Sequence, residues 1–328
     1  MRITILGAGG FLGRKLAARL ASDGTLGGQP VTALMLFDLN VPPAPEAAFP
    51  IRRIAGDVGD VTALAQAIPE GTDVVFHLAA VVSAAAEADF DLGMKVNLHG
   101  TLALLEACRR LPKPPRVIFT SSVASFGGGQ QAMVPDDGRQ VPSNSYGAQK
   151  AVGELLLQDA SRKGFLDAVS IRLPTVIVRP GRPNKAASSF VSGIVREPLL
   201  GLETTCPVGP DFAIWACSPR RAVDWFLHAA TMDTAPLGLD RGINPPGLSV
   251  TVGELLAALE QVGGAEARAR VRFVPDAAIE SIVAGWPAAF AATRARTLGF
   301  AQQENAGAVL RAFLDDDLAA TKAERANG

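Results

Sequence analysis

The sequence predicts an α/β fold, a Rossmann-type doubly wound parallel sheet followed by a smaller mixed C-terminal lobe. Three observations predict it. Short apolar runs alternate with helical patterns through the first half. A glycine cluster stands between the first apolar run and the first helical pattern. After Pro174 the texture changes: Pro180, Gly181, Pro183, Pro198, Gly201, Pro207, Gly209 and Pro210 follow closely, and the alternation weakens.

Taken in order, Arg2–Leu6 reads as a first strand. Phe11 to about Ala21 reads as a helix, with Leu12, Leu16 and Leu20 on one face. Val31–Phe37 and Ile51–Ala55 read as the second and third strands, and Asp73–Leu78 as a buried fourth. Leu102–Arg110 closes a long helix. Arg116–Thr120 is the next strand, and Thr120-Ser121-Ser122 stands at its end. Tyr146–Ser161 reads as helix and Ala168–Leu173 as strand. Strands separated by helices imply right-handed crossovers and a parallel sheet. In the second lobe Val250–Val262 looks helical, Val309–Ala319 suggests a terminal helix, and the polar Ala320–Gly328 is expected to fray.

Composition excludes several function classes. The chain has 328 residues, 48% hydrophobic and 19% charged, with a formal net charge of −1. A sizeable core is available, and no electrostatic footprint for nucleic acid or an anionic membrane exists. No run approaches the roughly 20 apolar residues that span a bilayer. The first strand starts at Arg2 with no basic leader before it, so a cytoplasmic protein is expected. Cys108, Cys206 and Cys217 have no C-x-x-C spacing and read as reduced, buried thiols.

Gly7-Ala8-Gly9-Gly10-Phe11-Leu12-Gly13 places glycines at Gly7, Gly10 and Gly13. Such a turn lets the backbone approach a pyrophosphate and aims helix N-terminal amides at its charge. Asp38 closes the second apolar run. An acid there accepts from both ribose hydroxyls of an adenosine and repels a 2′-phosphate, so NAD is expected over NADP. Asp57-Val58, after the third strand, stands where a carboxylate meets an adenine amino group, or serves a turn.

Tyr146-Gly147-Ala148-Gln149-Lys150 places a phenol and an ammonium four apart on one helix face. The ammonium favours phenolate, lowering the phenol from its usual pKa of about 10. A phenolate can take a hydroxyl proton while hydride leaves to a nicotinamide. Tyr146 is the only tyrosine in the chain. Ser122 is preferred over Ser121 as the donor to the reacting oxygen, because alternation along a strand sends the two apart. His77, His99 and His228 are scattered, so no metal site is expected. A hydrolase's G-x-S-x-G elbow is absent. Residues 1–174 therefore read as an NAD-binding domain carrying the catalytic residues. Residues 175–328 read mainly as a substrate lobe, some of whose segments return to the main sheet.

As a set, Gly7–Gly13, Asp38, Gly56-Asp57-Val58, Phe76-His77-Leu78-Ala79-Ala80, Asn97-Leu98-His99-Gly100-Thr101, Thr120-Ser121-Ser122, Tyr146…Lys150 and Arg172-Leu173-Pro174 resemble the extended short-chain dehydrogenase/reductase family, also called the NAD-dependent epimerase/dehydratase family. The resemblance implies that Ser122, Tyr146 and Lys150 form a catalytic triad. It implies that Leu78, Ala79 and Ala80 line the cofactor, and that Asn97 orders a helix beside the site. Pro174 and Thr175 would approach the nicotinamide carboxamide. Arg296–Phe300 also looks like the family's C-terminal lobe. Phe126-Gly127 stands where the family usually has Tyr-Gly. Val123-Ala124 replaces the Asp-Glu pair of its 4,6-dehydratases, which removes the acid and base of water elimination.

The stretch Arg172–Asn184, continuing into Ala187–Phe190, resembles a branch of that family that oxidises C2 of a four-carbon sugar acid. The reading that follows is NAD-dependent oxidation of a small sugar acid. Ser83, Ser122, Tyr146, Arg179, Asn184 and Ser188 are its candidate substrate contacts, with Arg182, Lys185, Arg220 and Arg221 as further cations for a carboxylate. A nucleotide-sugar epimerase on the same fold is the alternative, and a non-catalytic NAD-sensing regulator is a third reading. No nucleic acid or membrane partner is expected. By resemblance, a homodimer would pair the helices containing Leu102–Arg110 and Tyr146–Ser161.

Overall fold

The computed structural model describes residues 1–127, 133–182, 188–283 and 285–326, apart from the side chains of Ser281 and Ile282. The chain divides into two compact units. The first comprises Met1–Ser125, Asn144–Arg172 and Val223–Asn244. The second comprises Phe126–Ser143, Leu173–Ala222 and Pro245–Gly328. Two stretches thus cross a cut at 174: 126–143 packs in the second unit and 223–244 in the first.

The first unit is organised by a seven-stranded sheet: β1 (Arg2–Leu6), β2 (Ala33–Asp38), β3 (Ile51–Ala55), β4 (Val74–His77), β5 (Arg116–Ser122), β6 (Asp167–Leu173) and β7 (Gly242–Ile243). Their spatial order is β3-β2-β1-β4-β5-β6-β7. The order reverses at β1, where the chain leaves one half of the sheet for the other. β1 pairs in parallel with both β2 and β4, with Leu6 beside Phe37 and His77. The same parallel pairing continues to β3, from β4 to β5, and from β6 to β7. Strands covered on both faces must be apolar throughout. β1, β4 and β5 are buried over almost their whole length.

The core between sheet and helices holds Leu6, Phe37, Val75, Val117 and Phe119 against Leu64, Leu104, Cys108 and Leu157. Each such side chain contributes about 1.5–3 kcal/mol. Helix Phe11–Asp23 follows β1 and ends at Gly24, whose N–H donates to the Leu20 carbonyl. The apolar run from Val31 begins as strand only at Ala33, because a short hairpin of Thr25–Leu26 with Gln29–Pro30 precedes it. The stretch before Arg109 is helical from Phe90, but Met94–His99 is π-helical. Helix Ser145–Arg162 starts where Asn144 accepts from the Gly147 N–H.

In the second unit, Ala213–Cys217 pairs antiparallel with Leu248–Thr251 and parallel with Thr175–Val176. Val250, expected in a helix, thus lies in a strand. The helix begins at Val252 under a Thr251/Glu254 capping box and runs to Ala269, interrupted at Gly264. Its apolar face shares a core with helices Ser189–Leu199 and Ala306–Asp316 through Ile194, Leu255, Leu259, Leu310 and Phe313. The C-terminus corrects the expectation of fraying. Leu318–Ala326 is helical, Thr321 is buried, and Arg325 donates to both carboxylate oxygens of the buried Glu197. Among the described residues no helix is long and apolar enough to cross a membrane. All three cysteines are free and buried.

Candidate active site

The glycine loop lies at the carboxyl end of β1. Gly7 has φ +87°, and a Cβ there would sit 2.5 Å from the Ala79 nitrogen. A Cβ on Gly13 would overlap the Gly7 carbonyl oxygen and lie 2.8 Å from Ala8 Cα. Both positions therefore demand glycine, one for loop against strand and one for helix against loop. Leu78, Ala79 and Ala80 follow β4 directly, half-buried, beside this loop. The Phe11–Asp23 helix begins with no side-chain cap and no acid in its first turn, so the first-turn amides keep their positive end for an anion. Phe11 and Leu12 are half-buried there.

Asp38 ends β2 and reaches back to the loop: Oδ2 accepts from the Gly9 N–H at 2.8 Å and Oδ1 from Leu39 N–H at 2.7 Å. A carboxylate oxygen has more than one lone pair, so ribose hydroxyls can still be accepted. The turn that fits only glycine, the uncapped helix terminus and the acid at the β2 end together fit a dinucleotide. Asp57 is engaged locally. It accepts from Gly59 N–H and pairs with Lys95, which holds its carboxyl below the usual range. Val58 is buried against Gly100.

At the end of β5 the two serines do part. Ser121 is buried and donates to Glu154. Ser122 is half-buried, and its Oγ accepts from Ala124 N–H at 3.1 Å, leaving its proton to donate. On the following helix Tyr146 is half-buried and Lys150 only 1% exposed. The Lys150 ammonium lies 5.7 Å from the Tyr146 ring centroid and 4.8 Å from that of Phe119. Burial pulls Lys150 down to about 7, with Glu154 acting in the opposite sense. His77 is buried on β4 and pushed down to about 3, by burial first and Lys150 second, so it is neutral. Its Nδ1 has no protein partner among the described residues.

Asn97 sits fully buried in the π-helical turn. It accepts from Val81 N–H, donates to the Val81 carbonyl, and donates to Gln149 Oε1 at 2.8 Å. It ties the segment after β4 to the Tyr146 helix, which makes it a positioning group. A Cβ on Gly93 would meet the Gln149 amide at 2.8 Å, so this glycine admits the contact. Gln149 and Glu154 are participants that sequence reasoning missed. Glu154 repeats the spacing of four that separates Tyr146 from Lys150, which was a readable signal.

Ser83 is buried at the start of helix Ser83–Ala88. Pro174 and Thr175 fall in the second unit, both buried. Arg179 and Ser188, also in that unit, meet each other: Arg179 Nη2 donates to Ser188 Oγ at 3.3 Å and its Nε to the Val176 carbonyl. Arg182 is exposed, and Arg220 is taken up by Asp315 and Asp316. Asn184 and Lys185 lie outside the described residues. Phe126, in place of the family's tyrosine, is fully buried edge-on to Phe290. Among the described residues no group of three or more His, Cys, Asp or Glu is arranged to hold a metal.

Known proteins resemble this chain in sequence and fold. The model of the NAD dependent epimerase/dehydratase family matches residues 3–216. A D-erythronate dehydrogenase of Cupriavidus necator is 49% identical over 320 residues, spanning 96% of this chain and 98% of the relative. One from Haemophilus influenzae is 42% identical, over 97% and 100%. The crystal structure of a nucleoside-diphosphate-sugar epimerase from Agrobacterium tumefaciens superposes with a TM-score of 0.92 at 44% identity, covering 98% of this chain and 96% of that one. With glycine loop, acid, serine and Tyr-Lys helix all in register with the strands that carry them, the chain belongs to the NAD-dependent epimerase/dehydratase family.

Proposed function

We propose that this chain oxidises the C2 hydroxyl of D-erythronate to 2-oxo-D-erythronate, using NAD. The observation that carries the reading is the buried Lys150 ammonium beside Tyr146 on one helix face. The substrate is carried over from the two D-erythronate dehydrogenases that this chain matches over nearly its whole length.

Gly7, Gly10, Phe11, Leu12, Gly13, Asp38 and Leu78–Ala80 would hold the dinucleotide, with Asp57, Val58, Pro174 and Thr175 as further expected contacts. Bound NAD supplies the electron acceptor. Tyr146, as phenolate, takes the proton of the substrate hydroxyl. Lys150 holds that phenolate by its charge and would bind the nicotinamide ribose. Ser122 donates to the reacting oxygen as charge grows on it. Ser83, Arg179, Asn184 and Ser188 remain the proposed contacts to substrate hydroxyls and carboxylate. Asn97 acts through Val81 and Gln149.

A homodimer through helices Gly100–Arg109 and Ser145–Arg162 belongs to the same reading. Its support is the exposed Leu102, Val152 and Leu155 on these two helices. A cytoplasmic location, suited to three free cysteines, does too.

The test is the purified protein with C4–C6 sugar acids and either NAD or NADP. Accumulating NADH absorbance with D-erythronate, and little with NADP, is the expected result. A second reading, nucleotide-sugar epimerisation, is favoured by the name of the Agrobacterium relative. Silence with every sugar acid, together with interconversion of UDP-sugars, would replace the first reading by the second.

A further inference from the structure

Tyr146, Lys150 and Glu154 follow one another at intervals of four along a single helix, so each stands about 6 Å beyond the last on nearly the same face. The mechanism uses the first two. Glu154 touches neither substrate nor cofactor in it, yet its carboxylate is buried in the first unit's core. Two strands hold it there. Ser121 on β5 donates to Oε1. Arg172 on β6 donates through Nε at 2.9 Å and Nη2 at 2.8 Å to Oε2. Arg172 is itself buried, braced by Asn244 Oδ1 at 3.3 Å and so close to Gly242 that a Cβ there would overlap its guanidinium.

A buried ion pair is a poor stability device, since apolar replacements of similar volume are often neutral or better. Its place one helical turn beyond Lys150 asks for another reason. The charges alternate: phenol, ammonium, carboxylate, guanidinium. Among the described residues, Glu154 is the one anion that acts on Lys150. His77 on β4 is neutral, Phe119 on β5 presents a ring face, and Asn97 and Gln149 are amides committed to each other. Asp240 acts on Arg172 by its charge. Without a counter-charge, a fully buried ammonium gives up its proton.

We propose that Glu154 is a positioning residue for the reaction: fixed by Ser121 and Arg172, its carboxylate is the counter-charge that keeps Lys150 an ammonium beside Tyr146. The inference rests on the oxidoreductase reading above. It assigns Arg172 a second role, tempering Glu154 so that the lysine is not over-stabilised.

The two partners should therefore act on Lys150 with opposite sign. The readout is an NMR titration of protein labelled at lysine 13Cε, with the Lys150 signal assigned by its loss in Lys150→Met. Glu154→Gln removes the anion and leaves a buried guanidinium. Its Lys150 midpoint should move to lower pH by about one unit or more, and the alkaline limb of kcat should move with it. Arg172→Gln frees the anion and should move the midpoint to higher pH. Glu154→Asp keeps the charge and should stay near wild type. A merely structural role would lower stability and kcat in both variants without opposite shifts. Should Glu154→Gln not fold, Arg172→Gln carries the test alone through its upward shift. A midpoint unmoved in whichever variants fold overturns the proposal. If wild type oxidises no sugar acid, the functional reading fails whatever the lysine signals do; if it does and the midpoints coincide, this inference alone fails.

Discussion

The glycine loop and the Tyr146 helix are built from opposite materials. The loop works by leaving side chains out: Gly7 and Gly13 bring backbone against backbone at distances no Cβ tolerates. The helix works by putting charge in, with Lys150 and Glu154 both buried and balanced by Arg172. A site made by omission tolerates almost no addition. A site made by balance tolerates removal of both partners better than of one. The lesson is that binding and chemistry in this fold should fail separately.

The sharpest separation is Tyr146→Phe. It keeps the ring on the helix and removes only the hydroxyl. Turnover should fall by roughly 10³-fold or more, within and beyond the range of a lost general base, while NAD affinity by calorimetry stays within a few-fold. A variant that lost both together would break the comparison.

Gly13→Val is the mirror case. The added side chain drives into the Gly7 carbonyl, so NAD affinity should fall by on the order of 100-fold or more, about 3 kcal/mol. The Lys150 titration midpoint should not move. A shifted midpoint would mean that loop and helix are coupled.

The smallest effect concerns stability. Lys150 is pulled from its ordinary 10.5 to about 7 in the folded chain. The unfolded chain thus binds more protons between those values, and stability rises with pH across that window. Below pH 7 the penalty is fully present. Relative to wild type, Lys150→Met should therefore gain stability at pH 6, less whatever Glu154 loses with its counter-charge. The gain should shrink toward pH 10, while activity is lost at every pH. Denaturant titrations at the two pH values check this.

What could be read in advance follows the same division. β1 and β3 match their apolar runs residue for residue, and the Tyr146 helix is displaced by one residue at each end. These are local signals: side-chain periodicity bounded by turn residues. The glycine loop was legible because omission leaves a mark in the sequence. The Ser121–Glu154–Arg172–Asn244 chain was not, since it joins residues 33, 18 and 72 positions apart only after the strands align. Asp57 shows the same limit: its pair with Lys95, 38 positions on, leaves no mark in the local spacing. The C-terminal helix was misread for the same reason. Its polar composition hides Thr321 and the long-range pair of Arg325 with Glu197. The helix from Val252 breaks at Gly264, where φ is +77°, so the glycine pair after Val262 acts as the stop it reads as, and a second helical piece follows it.

Tyr146 is the sole tyrosine, so the chain carries its own reporter. Phenolate absorbance near 295 nm, followed against pH, reads this one phenol with no label or substrate. An ammonium at its side should bring the transition well below the usual value of about 10, and Lys150→Met should return it to 10 or above. A wild-type transition at 10 or higher, unchanged by Lys150→Met, would contradict the claim that the lysine makes this tyrosine a base.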